Sequence, residues 1–321
     1  MNALRCIGFA LLALAEIGVS HAQYPAKPIR WIVAFPPGGG SDTLARILSP
    51  KFSEALGQTF VIDNRPGAGA NIGAEIASKA APDGYTLLMG NIAHAINMSL
   101  YARPGYDVVR DFIAVNTLAS TPNIVVVHPS VPVKTLKDLI ALANEKPGQL
   151  NMGSSGAGSS AHLAGELFNL LAGTRMNHIP YKGGGPAMAA LVSGETAVGF
   201  ATMPSAIGHV KSGKLRPLAV TTPKRSPTTP DVPTVIEAAG LPGYEAVTWY
   251  ALLVPAGTPK DIVMRLYPET TKLLAAPEVK QRLDATGFEA IGSTPEQAAA
   301  FVRTERDKWT KVVRAANIKV D

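Results

Sequence analysis

The sequence predicts an α/β protein of two similar lobes with a ligand cleft between them. Apolar, β-rich runs of five to seven residues recur along the chain, each followed by a turn marked by Gly or Pro. A segment with apolar residues at helical spacing then follows, which is the pattern of parallel sheets covered by helices. Two such sets occur, and the chain returns late to the first, so the lobes should be joined by more than one crossing. The gap between lobes of this kind is the expected ligand site.

The first 22 residues read as an export signal. Arg5 precedes an apolar run from Cys6 to Ala15, and Ser20-His21-Ala22 places small residues around a variable one, so cleavage is expected after Ala22. The run is well short of the roughly 20 apolar residues of a membrane span, and Glu16 interrupts it. Cys6 precedes the run, whereas a lipid-anchored cysteine would end it. A periplasmic mature chain without a membrane span is therefore expected.

Removing this segment takes away Arg5, Glu16 and the only cysteine, so the formal charge of +6 is unchanged and no thiol is left. Without disulfides, an exported chain must be held by apolar cores, and 46% hydrophobic residues are enough to build them. A length of 321 residues fits two domains. Basic residues are dispersed, with no run of five or six and no interleaving with aromatics, which argues against a nucleic-acid partner. A mildly positive field favours the approach of anions, although a merely soluble basic surface has the same composition.

The first unit is a strand over Ile29 to Phe35, a Pro-Pro-Gly-Gly-Gly loop and a helix from Ser41 to Leu56. Strands are expected at 59–64 and 85–90, with a helix around 72–80 between them. The second set begins after Pro122 with a strand at 124–127, then a helix with Leu136, Leu139, Ile140 and Ala143 on one face. A strand at 150–154 precedes a helix whose Leu163, Leu167, Leu170 and Leu171 read as a core stripe. Strands at 177–181, 197–201 and 215–221 follow, and the Pro-rich stretch 223–233 reads as a connector. After a strand at 247–254, two helices are expected to finish the chain, one from Lys260 with a kink at Pro268, the other from a Thr294 cap to Ala316. The lobes are expected to comprise 23–122 with 245–321, and 123–244.

Two strand-to-helix junctions could carry binding chemistry. In Phe35-Pro36-Pro37-Gly38-Gly39-Gly40-Ser41-Asp42, glycines let the backbone approach a ligand, and the first amides of the helix point outward unpaired. With the helix dipole they form an anion site, although a plain tight turn capped by Ser41 reads the same way. The stretch Gly153 to His162 repeats the device with Ser155, Gly156, Gly158 and Ser159. Asn91 and His94 follow the strand ending at Gly90, and Lys182-Gly183 precedes a further helix. Thr202 follows the Phe200 strand, and Trp249 with Tyr250 is either a cleft wall or core packing. His94 and His162 are either ligand-orienting groups or structural hydrogen-bonders.

Catalytic alternatives fit poorly. Gly156-x-Gly158-x-x-Ala161 has the dinucleotide spacing, but the next strand ends in Tyr181-Lys182 where an acidic residue is required. Gly208 to Lys214 resembles a phosphate loop, but Leu215 replaces the Ser or Thr and a strand follows. Ser155 lacks the glycine of a nucleophile elbow, since Ala157 stands there. No paired His or Cys occurs at metal-ligand spacing. No catalytic residue, metal or cofactor is expected, and an exported α/β enzyme is the lesser alternative.

At these loops the chain closely resembles the Bug family, the TctC-like solute receptors of tripartite tricarboxylate transporters. The matching stretches are Phe35 to Asp42, Asn64 to Gly73, Ala80 to Leu88, Gly156 to Leu163 with Glu166-Leu167, Pro180 to Gly183, Gly213 to Arg216, and Pro255 to Pro259. The resemblance implies a type II periplasmic-binding-protein (Venus flytrap) fold with hinge closure. It also implies that backbone groups and waters at the first Gly-rich loop and at Gly156 to Ser159 hold a ligand carboxylate. Family members often carry an aspartate where this chain has Ala201-Thr202, and often a glycine where it has Ala251. The first departure removes a partner for an ammonium group, pointing to a non-amino acid. The candidate ligand-binding set is Phe35, Gly39, Gly40, Ser41, Asp42, Asn91, His94, Ser155, Gly156, Gly158, Ser159, His162, Lys182, Gly183, Thr202 and Trp249. The implied partners of this monomer are a small organic acid and either membrane permease subunits or, alternatively, a periplasmic sensor protein.

Overall fold

The computed structural model describes residues 24–315, and the expected export signal lies outside them. The first part of the chain alternates strand and helix: β1 Ile29–Val33, α1 Gly40–Leu56, β2 Phe60–Asn64, α2 Asn71–Ser78, β3 Thr86–Asn91 and α3 Ile92–Leu100. A long strand, β4 Phe112–Val127, leads to α4 Leu136–Glu145, β5 Asn151–Ser154, α5 Ser160–Ala172 and β6 Asn177–Pro180. Next come α6 Gly184–Ser193, β7 Val198–Thr202, α7 Met203–Lys211, β8 Arg216–Val220 and α8 Val235–Ala239. The chain returns through β9 Val247–Pro255, then α9 Lys260–Ala275, α10 Pro277–Thr286, β10 Glu289–Ala290 and α11 Pro295–Ala315.

The strand order is β2-β1-β3-β9-β4-β7-β5-β6, with β10 and β8 also paired to β4. β1 runs parallel to β2 and β3, while β9 is antiparallel to β3 and to β4. The first half of β4 pairs with β9 up to Pro122↔Val247, and its second half pairs with β7 and β8 from Asn123↔Thr202 onward. A proline fits at this transfer point because its missing N–H interrupts no continuous ladder. Buried side chains fasten the crossing: Thr248 Oγ1 donates to Asn123 Oδ1 at 3.1 Å, and Asn123 Nδ2 donates to the Phe200 carbonyl at 3.0 Å. Being buried and paired, this network holds the two crossing strands without an unsatisfied polar group.

Each sheet half is covered on both faces. Ile29, Trp31 and Val33 of β1 pack with α1 and α9, and Ile32 packs on the opposite side with α2, α3 and α11. In the second half, Val125 and Phe200 face Leu139 of α4 and Phe168 of α5, while Ile124 and Val126 face Met188, Leu191 and Ile207 of α6 and α7. Burial on both faces is why these strands read as continuous apolar runs with no alternation.

Four details differ from the sequence reading. β4 begins at Phe112, twelve residues before the expected start, because Pro122 lies inside a strand. α3 was not expected, although Asn91 caps it and Ile92 and Ile96 lie one turn apart on its buried surface. On α5 the core is reached by Leu163, Ala164 and Phe168, with Leu167 packed at its edge, while Leu170 and Leu171 are exposed, so only the first half of the expected stripe is core. Three helices finish the described chain instead of two, since Pro277 opens α10 at a position where proline is well tolerated.

Candidate ligand-binding cleft

The loop between β1 and α1 turns at Gly38, whose φ of +87° favours glycine. Asp42, in the first turn of α1, braces this loop from below. Its carboxylate accepts from the Gly38 amide at 3.0 Å, Arg46 Nε at 2.9 Å and Asn64 Nδ2 at 3.0 Å. Burial alone would raise its pKa, but these hydrogen bonds outweigh it and hold the group below the usual carboxylate range. Ser41 is tied to the third strand-helix junction, since Asn91 Nδ2 donates to Ser41 Oγ at 3.0 Å. Asn91 also caps α3 by accepting from the Ala93 amide at 3.0 Å, and His94 Nδ1 accepts from the Asn91 amide at 3.0 Å.

The corresponding loop after β5 runs through Gly156 (φ +125°) and Gly158 (φ +78°). His162 Nδ1 accepts from the Gly158 amide at 3.2 Å, and Ser159 Oγ caps α5 by accepting from the His162 amide at 3.2 Å. The His162 ring stacks on His178 at 3.9 Å between centroids, and His178 Nε2 lies 2.6 Å from Ser154 Oγ. Desolvation, then the neighbouring His178, pushes the His162 pKa down to about 3, and burial brings His178 to about 4. Both rings are therefore neutral at physiological pH and serve as struts that clamp the two ends of the loop.

These junctions meet at one cavity of about 390 Å³, part of it open to solvent. Its wall contains Phe35, Gly39, Gly40 and Ser41 at α1, and Asn91, Ile92 and Ala93 at α3. Ser155, Ser159 and Ser160 at α5, Gly184 at α6, Thr202 and Ser205 at α7, and Thr248 and Tyr250 of β9 complete it. Five helices of eight residues or more therefore begin at this cavity, and among the described residues no Asp, Glu, Lys, Arg or His lines it. The N-termini of α1, α6 and α7 have no side-chain cap, which leaves their first amides free for an occupant. The aligned peptide dipoles make such a wall positive in potential while every side chain on it is neutral. A second hollow of about 250 Å³ adjoins it, sharing Ser155, Gly184, Thr202 and Ser205 and lined further by Ala161, Ala187, Met188 and Ala201.

Glycines also let the two halves approach beside the cavity. A Cβ on Gly184 would lie 3.1 Å from Gly39 Cα, one on Gly185 would lie 2.8 Å from the Pro37 carbonyl oxygen, and one on Gly158 would lie 2.8 Å from Asn97 Oδ1. The loop before α1 and the start of α6 thus approach backbone to backbone, and the loop before α5 packs on the Asn97 side chain of α3.

Of the candidate residues, Phe35, Gly39, Gly40, Ser41, Asn91, Ser155, Ser159 and Thr202 lie in the cavity wall. Asp42, Gly156, Gly158 and His162 shape loops behind it, Gly183 (φ +130°) turns into α6 against Pro36, and Lys182 is exposed. His94 is fully buried as the third residue of the α3 capping box. Trp249 faces away, its indole N–H donating to Glu305 at 2.9 Å. The wall residues outside the candidate set are Ile92, Ala93, Ser160, Gly184, Ser205, Thr248 and Tyr250, of which Tyr250 was weighed with Trp249 as a cleft wall and Ser160 and Gly184 lie in the loops singled out. Strand alternation was the available signal for Thr248 and Tyr250: in β9, residues 248 and 250 share the face that residue 249 does not.

The sequence profile described as the tripartite tricarboxylate transporter family receptor matches residues 44–318. The chain belongs to this receptor family. The receptor is 37% identical to the protein BugT of Bordetella pertussis over the full length of both chains. It superposes on R. palustris Rpa4515 with adipate at a TM-score of 0.90 and 37% identity, over 92% of this chain and 99% of that one. It also superposes on MatC (Rpa3494) from Rhodopseudomonas palustris with bound malate at 0.86 and 31% identity, over 90% and 100%. The receptor accordingly has the two-lobed α/β architecture of periplasmic solute-binding proteins of the Bug type. Among the described residues no helix is long and apolar enough to cross a membrane.

Proposed function

We propose that this receptor captures a small non-amino carboxylic acid between its lobes and presents it to the membrane subunits of a tripartite tricarboxylate-type transporter. The observation that carries this reading is the cavity wall, where five helix N-termini converge and no charged side chain intervenes. An anion entering it exchanges water for fixed amide donors, at roughly 1.5–3 kcal/mol per hydrogen bond to a charged group. Four such bonds total about 6–12 kcal/mol, so micromolar binding, about 8 kcal/mol net, is reached with strong bonds and an association cost near the lower end of about 4–15 kcal/mol. Absence of a carboxylate from the lining means that a ligand ammonium would be desolvated without a counter-ion, which disfavours amino acids. The adjoining hollow of Ala161, Ala187, Met188 and Ala201 suits a methylene or other apolar body. Adipate on Rpa4515 and malate on MatC support a dicarboxylate.

In this reading the lobes are 23–122 with 245–321, and 123–244, divided where β4 and β9 exchange partners at Pro122 and Val247. Delivery to the periplasm rests on the apolar N-terminal run and Ala22. Thermal-shift measurements with adipate, malate and a series of other carboxylic acids, each beside its amide, test the proposal. Upward shifts confined to acids are expected; equal shifts with the amides would remove the carboxylate from the account.

A further inference from the structure

Tyr250 is fully buried in the middle of β9, and its hydroxyl has no hydrogen-bond partner among the described residues. Among the described residues seven buried ones have such an orphaned polar atom, and of these Tyr250 alone lines the cavity. Its oxygen stands where α1 begins: a Cβ on Gly40 would lie 2.3 Å from it and 3.3 Å from Thr202 Oγ1 across the cleft. Gly40 is therefore what allows the phenol to reach the first turn of that helix. Phe288 packs edge-on against the ring at 5.5 Å and fixes its direction. Neighbouring hydroxyls are committed elsewhere, Thr202 to Ser205 at 2.8 Å and Thr248 to Asn123 at 3.1 Å. Burial raises the phenol pKa, so the group stays an O–H donor at neutral pH. A buried donor without a partner is unfavourable unless an occupant of the site supplies one.

We infer that the Tyr250 hydroxyl is a specificity-determining donor that completes the amide ring at α1 by hydrogen-bonding the carboxylate of the bound acid. This rests on the proposed function, and it adds a directed side-chain donor to a wall otherwise dominated by backbone amides and short hydroxyls.

The test is Tyr250→Phe, which deletes the hydroxyl and keeps the ring against Phe288. The full chain is titrated calorimetrically with adipate, malate and the acid giving the largest thermal shift, and the ligand-free melting temperature is measured beside it. The expected result is affinity weaker by about 10- to 100-fold, the loss of one hydrogen bond to a charged group, with a ligand-free melting temperature equal to or above that of the wild type. Equal affinity of variant and wild type overturns the inference alone. A ligand-free variant melting several degrees lower also overturns it, because the hydroxyl would then have a partner in the protein. A wild type that binds no acid of the series removes the proposed function, and this inference with it.

Discussion

Replacing Gly185 with alanine separates closure of the lobes from the stability of each lobe. Gly185 has no positive φ, so alanine fits its backbone, and the first turn of α6 tolerates or gains from the change. The added Cβ, however, would lie 2.8 Å from the Pro37 carbonyl oxygen on the opposite side of the cleft, against an ordinary contact of 3.4 Å. The loop before α1 must therefore retreat by about 0.6 Å, or the lobes must stop short of full approach. Overpacking of this kind costs about 1–3 kcal/mol, and it applies only to the closed form. Since 1.4 kcal/mol is a factor of ten, ligand affinity should fall roughly 5- to 150-fold. Calorimetric titration with the preferred acid reads this change, and differential scanning fluorimetry of the ligand-free protein should give an unchanged or slightly higher melting temperature. Unaltered affinity would refute the reasoning, because binding would then not require the approach of Pro37 to Gly185. A large fall in ligand-free stability would refute it too, because the contact would then be permanent.

Acid sensitivity follows from buried imidazoles. Burial pushes the pKa of His94 from 6.5 down to about 4, so the folded state binds fewer protons than the unfolded chain and stability is lost as pH falls from 6.5 through 4. A shift of that size corresponds to about 3 kcal/mol at the acid end. The melting temperature should drop steeply across that window, and His94→Asn should flatten the slope; an identical slope in the variant would assign the loss to other groups.

Much of the cleft was legible because its chemistry is local. Gly39, Gly40, Ser41, Ser155 and Ser159 sit where an apolar strand turns into a helix, and that junction alone exposes amides, whatever the rest of the chain does. Thr202 was reachable by the same logic, as the last residue of β7 and the N-cap position of α7. What escaped depends on tertiary direction. Trp249 and Tyr250 look equivalent in sequence, yet the pleat sends one to Glu305 and the other to the cavity. His94 and His162 carry chemistry that could bind, but local backbone amides claim their Nδ1 atoms, which is the usual fate of a polar ring close to a helix N-terminus. Asp42 was consumed in the same way by Gly38, Arg46 and Asn64. In the fold, Pro122 hid the first half of β4, because a proline in mid-strand is tolerated only where the partner strand changes, and that change is invisible without the second sheet. Leu170 and Leu171 read as core from their spacing, whereas Phe168 on the adjacent face reaches the sheet.

A crystal structure of the full chain with its preferred acid tests the central claim most directly. One carboxylate is expected within about 2.7–3.1 Å of backbone N–H groups in the first turns of α1 and of a helix from the opposite lobe, α5, α6 or α7, with no Lys or Arg in contact. A carboxylate paired with a basic side chain, or seated outside the space between Gly40 and Ser159, would contradict it.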